Sequence, residues 1–143
     1  MRARLLSILV LTLFASACAI VQAAKPPSAP QKTAAIAGTW KWKQGEEMLD
    51  LRLKQDGAAI TGYHSAIGQR GMKADEVAHG GEPSIKGELK GAIATVKFRS
   101  GYPDSNGGGT ATLKLRGDFL YWQVVKSEGE HYLPKTARLS RAK

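Results

Sequence analysis

The chain has 143 residues, with 21 basic and 12 acidic side chains, a formal net charge of +9 and one cysteine. That length allows one small folded domain and leaves no room for two. A single cysteine excludes a disulfide framework and a multi-thiolate metal site.

Arg2 and Arg4 precede an apolar run from Leu5 to Val21, the n-region and h-region of a secretory signal peptide. Val21-Gln22-Ala23 offers small or β-branched residues where a signal peptidase reads, so residues 1–23 read as the signal peptide and Ala24 as the mature start. Ala15-Ser16-Ala17-Cys18 resembles the lipobox of bacterial lipoproteins without its usual Leu, which gives the alternative of an anchor through lipidated Cys18. A retained membrane helix is the third reading, because the run is near the short end of a spanning segment. Export places the protein in the periplasm or outside the cell. Cleavage after Ala23 removes Arg2 and Arg4 and leaves 19 basic against 12 acidic side chains, a net +7, with no cysteine. The polyanions available there are an anionic envelope surface, acidic polymers and acidic proteins rather than nucleic acid. Arg52, Lys54, Lys86, Lys90, Lys97, Arg99, Lys114 and Arg116 fit alternate outward strand positions without a cluster, so the charge reads first as a solvated basic surface and second as a dedicated anion site.

Residues 24–35 contain Pro26, Pro27 and Pro30 among Lys, Ser, Gln and Thr, the composition of a disordered tether. The folded domain then spans 36–143. Gly38-Thr39-Trp40-Lys41-Trp42-Lys43 reads as a first strand with both Trp rings on one face. Leu49, Leu51 and Leu53 alternate with Asp50, Arg52 and Lys54, the period-2 pattern of a strand with one buried face. Gln55-Asp56-Gly57 makes a tight turn, and Ala58 to Tyr63 returns as a third strand. From Gln69 to Pro83 the chain is polar and Gly-rich and reads as a long connection.

Alternation resumes with Ile85, Gly87 and Leu89 inward, then Ala94, Val96 and Phe98. A glycine-rich loop, Ser100 to Gly109, leads to a strand with Ala111, Leu113 and Leu115 inward. Phe119 to Lys126 carries Trp122, and a last strand over roughly His131 to Ser140 is interrupted by Pro134, which predicts a bulge or a rim. Eight strands in antiparallel sequence predict an all-β, up-and-down barrel, because closure removes the sheet edges. Such a barrel holds either packed side chains or one small ligand.

Gly38-Thr39-Trp40, Asp56-Gly57 and Thr61-Gly62-Tyr63-His64-Ser65-Ala66-Ile67-Gly68 resemble avidin and streptavidin, which carry G-T-W, D-G and T-G-x-Y-x-S-A-V-G at nearly the same spacing. The resemblance implies an eight-stranded barrel over residues 38–140. It places Tyr63 and Ser65 where that family hydrogen-bonds the ureido oxygen of biotin. Trp42 stands where the family has Asn, Phe98 where it has Trp, and the last strand lacks the Asp that holds the ureido nitrogen. Each missing partner would leave a buried polar group unpaired, at roughly 1–3 kcal/mol. A second likeness is to bacterial lysozyme inhibitors: Ser100-Gly101-Tyr102 resembles their S-G-x-x-Y element with the Tyr one position early.

Two functional expectations follow. In the first, Trp42, Tyr63, Ser65, Phe98, Trp122 and Tyr132 line an aromatic cup for a small apolar or amphipathic ligand, with Ser65 as polar anchor. In the second, Ser100, Tyr102, Asp104 and Asn106 form a flexible loop that, with the long loop after Ile67, blocks an envelope or secreted enzyme, as an inhibitor or immunity protein does. The run Asp75-Glu76-Val77-Ala78-His79 lacks a frame for a metal and reads as a solvated loop. His64 and Ser65 point to opposite faces of a strand and cannot pair as base and nucleophile. No motif calls for a cofactor or catalysis, and the oligomeric state is left open.

Overall fold

A computed structural model describes residues 35–143. The export segment, Cys18 and the tether up to residue 34 lie outside the described residues. Nine strands follow one another: β1 (Gly38–Gln44), β2 (Glu47–Asp56), β3 (Ala59–Gly68), β4 (Lys73–Glu76), β5 (Ile85–Lys90), β6 (Ile93–Arg99), β7 (Gly108–Arg116), β8 (Phe119–Glu128) and β9 (Thr136–Arg141). Each pairs antiparallel with its neighbours, and β1 meets β9 while β2 meets β3, so the sheet closes. Eight strands make the barrel wall, and there is no helix among the described residues.

The ninth strand, β4, lies in the stretch expected to be an irregular connection. It pairs with the upper half of β3, Ser65 to Gly68, while β5 pairs with the lower half, Ala59 to Gly62. Two strands share one edge of β3 because β5 is too short to cover it. The last strand is also shorter than expected: β9 begins at Thr136, and the chain from Gly129 to Lys135 crosses the barrel mouth instead.

Period-2 alternation sets what fills the interior. Leu49, Leu51 and Leu53 on β2, Ala94, Val96 and Phe98 on β6, Ala111 and Leu113 on β7, and Leu120 and Trp122 on β8 are all buried. Trp40 is fully buried on β1, and Trp42 packs against the same cluster half-buried. A buried Leu or Ile contributes roughly 1.5–3 kcal/mol. The basic residues take the other face: Arg52, Lys54, Lys86, Lys90, Lys97, Arg99 and Arg116 are exposed.

Both ends are stoppered. At the lower end Ile36 is buried, its amide donating to Gln55 Oε1 and its carbonyl accepting from Trp40 Nε1 at 2.8 Å. At the upper end buried Leu133 drops in from the crossing segment, and Trp122 Nε1 donates to the Pro134 carbonyl at 2.9 Å.

Candidate functional site

The upper half of the barrel holds one buried polar cluster, and it centres on β4. Asp75 lies on the inward face of β4, opposite Ala66, with no exposed surface. Its two carboxylate oxygens accept four hydrogen bonds: from His64 Nε2 (3.1 Å), the Ser100 hydroxyl (2.8 Å), the Gly101 amide (2.6 Å) and the Tyr132 amide (3.0 Å). Burial pushes the Asp75 pKa up, but the His64 bond and the Tyr132 and Gly101 amides together outweigh it and hold the carboxyl at about 2. With Nε2 carrying hydrogen toward Asp75, His64 Nδ1 accepts from the Ser84 hydroxyl at 2.8 Å. Ser84 Oγ in turn accepts from the His64 amide.

Ser84, His64 and Asp75 thus form a serine–histidine–carboxylate chain, but it is sealed. His64 and Ser84 are each 2 % exposed and Asp75 0 %, with no surface for a substrate. The cluster's geometry is that of a clamp: one carboxylate ties β3, β4, the turn after β6 and the segment crossing the mouth.

What the clamp holds is the upper rim. Lys73 is two residues before Asp75, Tyr102 follows Gly101, and the Tyr132 amide is itself a ligand of the carboxylate. These three side chains meet above it. Lys73 Nζ donates to Tyr102 Oη at 2.6 Å and lies 4.9 Å and 5.7 Å from the Tyr102 and Tyr132 ring centres. The two rings meet edge to face at 4.8 Å. The Tyr132 hydroxyl donates to Glu130, which raises its pKa, and the Tyr102 hydroxyl raises that of Lys73.

The β6–β7 loop is held rather than loose. Ser100 N donates to the Gly107 carbonyl, Ser105 N to the Tyr102 carbonyl, and the Ser105 hydroxyl to the Glu130 carbonyl. Asp104 takes a left-handed φ of 58° at the tip. Gly107 sits where a Cβ would lie 1.9 Å from the Glu130 carbonyl oxygen, so the two loops touch through bare backbone. Of the four residues expected to face a partner, Tyr102 is at the rim and Asp104 and Asn106 are exposed. Ser100 is a correction: it is buried, its hydroxyl spent on Asp75.

The expected aromatic cup is likewise divided. Phe98 and Trp122 are buried core residues with ring centres 5.5 Å apart. Trp42 and Tyr132 flank a cleft of about 250 Å³ at the mouth, together with His131, Gly68 and Pro134. Tyr63 and Ser65 are on the outer face of β3, because His64 and Ala66 take the inward positions between and beside them. The interior that these six were expected to line is filled by leucines, isoleucine and Trp40. A second correction concerns residues 75–79. Asp75 and Glu76 belong to β4 and Asp75 and Val77 are buried, so only Glu76, Ala78 and His79 face solvent as a loop would. Among the described residues no group of three or more His, Cys, Asp or Glu is placed to hold a metal ion.

Comparison with protein-family models, curated proteins and solved structures finds no match to this chain. The class is therefore set by the fold itself: a small, closed, antiparallel up-and-down β-barrel of the kind avidin also has, compatible with a binding protein.

Proposed function

We propose that this is an exported, non-enzymatic binding protein that meets an envelope or secreted protein with its upper rim and blocks it, as inhibitor and immunity proteins do. The observation that carries the reading is the Tyr102–Tyr132–Lys73 cluster held from below by the buried Asp75 carboxylate. Tyrosines fixed before the partner arrives lose little entropy on binding, and such residues dominate interface energetics. The filled interior and stoppered ends turn function toward the surface. The sealed Ser84–His64–Asp75 chain supports a non-enzymatic role.

The test is capture from envelope extract on the immobilised mature protein, followed by assay of the captured enzyme. Tyr102→Ala should lower affinity at least tenfold and relieve inhibition. Unchanged recovery and unchanged inhibition would overturn the reading. Export rests on the Arg2, Arg4 and Leu5–Val21 pattern, and intact mass of the secreted form distinguishes a start at Ala24 from a lipidated Cys18.

A second reading keeps the small ligand but moves it from the interior to the mouth cleft. It is favoured by His131 Nδ1, which is buried beside that cleft with no hydrogen-bond partner. At about 250 Å³ the cleft suits a small fragment or one side chain of a partner. Biotin is not favoured by the geometry, because Tyr63 and Ser65 face outward.

A further inference from the structure

A second concave site lies on the barrel's outer wall, well below the rim and apart from the reading above. The 77–83 connection does not run free. Val77 N donates to the His64 carbonyl at 3.3 Å, and the Tyr63 hydroxyl donates to the Gly81 carbonyl at 2.7 Å, which folds the connection back over the outside of β2 and β3. Gly80, at a φ of 96°, makes the reversal that a side-chain-bearing residue would resist. The result is a cleft of about 470 Å³ between this connection and the strand faces, within the usual range for small-molecule sites.

Its lining is chemically one-sided. Register places Arg52 between Thr39 on β1 and Tyr63 on β3, and Lys54 beside Thr61 on β3. His79 closes the wall, its ring edge-to-face with Tyr63 at 4.9 Å. Two permanent cations, an imidazole and two threonine hydroxyls line the cleft, and no carboxylate does. Outward acids flank the pair along β2: Asp50, which is paired with Lys41 at 3.3 Å, and exposed Asp56 at the strand's end, which does not line the cleft. Among the described residues neither Arg52 nor Lys54 forms a salt bridge, whereas Lys41, Lys86 and Lys126 each do. Two cations two residues apart on one strand face repel each other, and no carboxylate in the cleft lining offsets this.

We propose that this cleft is an anion-binding site for a small molecule bearing a phosphate-type oxyanion. The Arg52 guanidinium offers the forked donor geometry that oxyanions match, and Lys54 adds a point charge. Thr39 and Thr61 supply neutral donors, and the Tyr63 and His79 rings offer an apolar wall for the rest of the ligand. The oxyanion belongs either to a free soluble molecule or to a lipid headgroup, which share this chemistry.

The test titrates inorganic phosphate into the mature protein and follows backbone amide NMR shifts. A parallel series measures adsorption to phosphatidylglycerol-containing and pure phosphatidylcholine vesicles. Phosphate should perturb the Arg52, Thr61, Tyr63 and His79 amides in a saturable way. The double variant Arg52→Gln/Lys54→Gln should weaken phosphate binding at least tenfold. The equally charge-depleted Lys97→Gln/Lys114→Gln, on strands β6 and β7, should change it less than twofold. Adsorption to the anionic vesicles that the first variant abolishes assigns the oxyanion to a headgroup; its absence, with phosphate binding intact, assigns a soluble ligand. Perturbations scattered over the lysines of the whole barrel, or equal losses in the two double variants, would overturn the proposal.

Discussion

Nε2 of His64 lies 3.1 Å from a carboxylate oxygen of Asp75, and neither side chain is exposed to solvent. An acid buried this deeply persists only because every lone-pair direction is answered, here by one imidazole, one hydroxyl and two backbone amides. Removing one side of such a pair strands the other, which typically costs about 3–5 kcal/mol. Asp75→Asn should therefore lower the unfolding free energy by about 3 kcal/mol, read from urea denaturation at pH 7. Ser100→Ala, which removes one of four donors, should cost about 1–2 kcal/mol. An Asp75→Asn variant as stable as the parent would show that the carboxylate does not hold the mouth together.

The same carboxylate sets the acid limit of stability. Its folded pKa is about 2, below the ordinary 3.8, so the folded state binds its proton less readily than the unfolded chain does. The contribution is fully present above about pH 5, a unit over the unfolded value, and is lost as pH falls through the folded value. A depression of this size corresponds to about 2 kcal/mol. Urea midpoints measured from pH 5 down to pH 2 should fall for the parent and fall less for Asp75→Asn.

His131 behaves in the opposite chemical sense with the same direction in pH. Burial, the leading effect, lowers its pKa, and its Nδ1 has no partner. The folded state favours the neutral ring, so protonation below the unfolded value destabilises it. His131→Phe removes an unanswered nitrogen and keeps a ring against Phe98, which now stands 5.1 Å away. This variant should match or exceed parental stability at pH 7 and gain further at pH 5, by thermal melts at both values.

At Gly107 the tolerance is steric. A methyl there would meet the Glu130 carbonyl, so Gly107→Ala should cost about 1–3 kcal/mol and shift the amide signals of residues 105–109 and 129–132. A silent substitution would show that the two loops can part freely.

On the rim, Tyr102→Phe and Tyr102→Ala separate ring from hydroxyl. The Phe variant keeps the edge-to-face contact with Tyr132 and the Lys73 cation over the ring, and loses only the 2.6 Å bond to Lys73. It should retain most partner affinity while the Ala variant does not, measured by surface binding to the captured enzyme. Equal losses in both would move the recognition element from the ring to the hydroxyl.

Much of the wall is legible in the sequence, because Leu49, Leu51 and Leu53, or Ala94, Val96 and Phe98, state their parity without ambiguity. β3 was harder. Ile60 and Ile67 are seven apart and so have opposite parities, leaving pattern alone unable to say which set faces inward; Gly62 adds no information. The inward choice turned out to be Ile60, His64 and Ala66, which sends Tyr63 and Ser65 outside. β4 was hidden for a related reason. Its inward residue is an aspartate, and an acid at a core position reads as solvent-facing until its donors are known, three of which come from segments 25 or more residues away. The parity of His64, once β3 is in register with β2, is the one local signal that points to a buried polar partner.

The pairing of β1 with β9 rests on Trp40 opposite Arg141 and Lys41 opposite Ser140, whereas β2 and β3 are in register along their whole length. Arg141 stitches this narrow seam, lying 4.2 Å over the Trp40 ring and donating to the Ala37 and Ala35 carbonyls. A cylinder whose hoop is thinnest at one joint opens there first under strain. Amide exchange should accordingly be fastest along this joint, and breathing of the barrel is a hinge-like gape between its first and last strands rather than a uniform loosening.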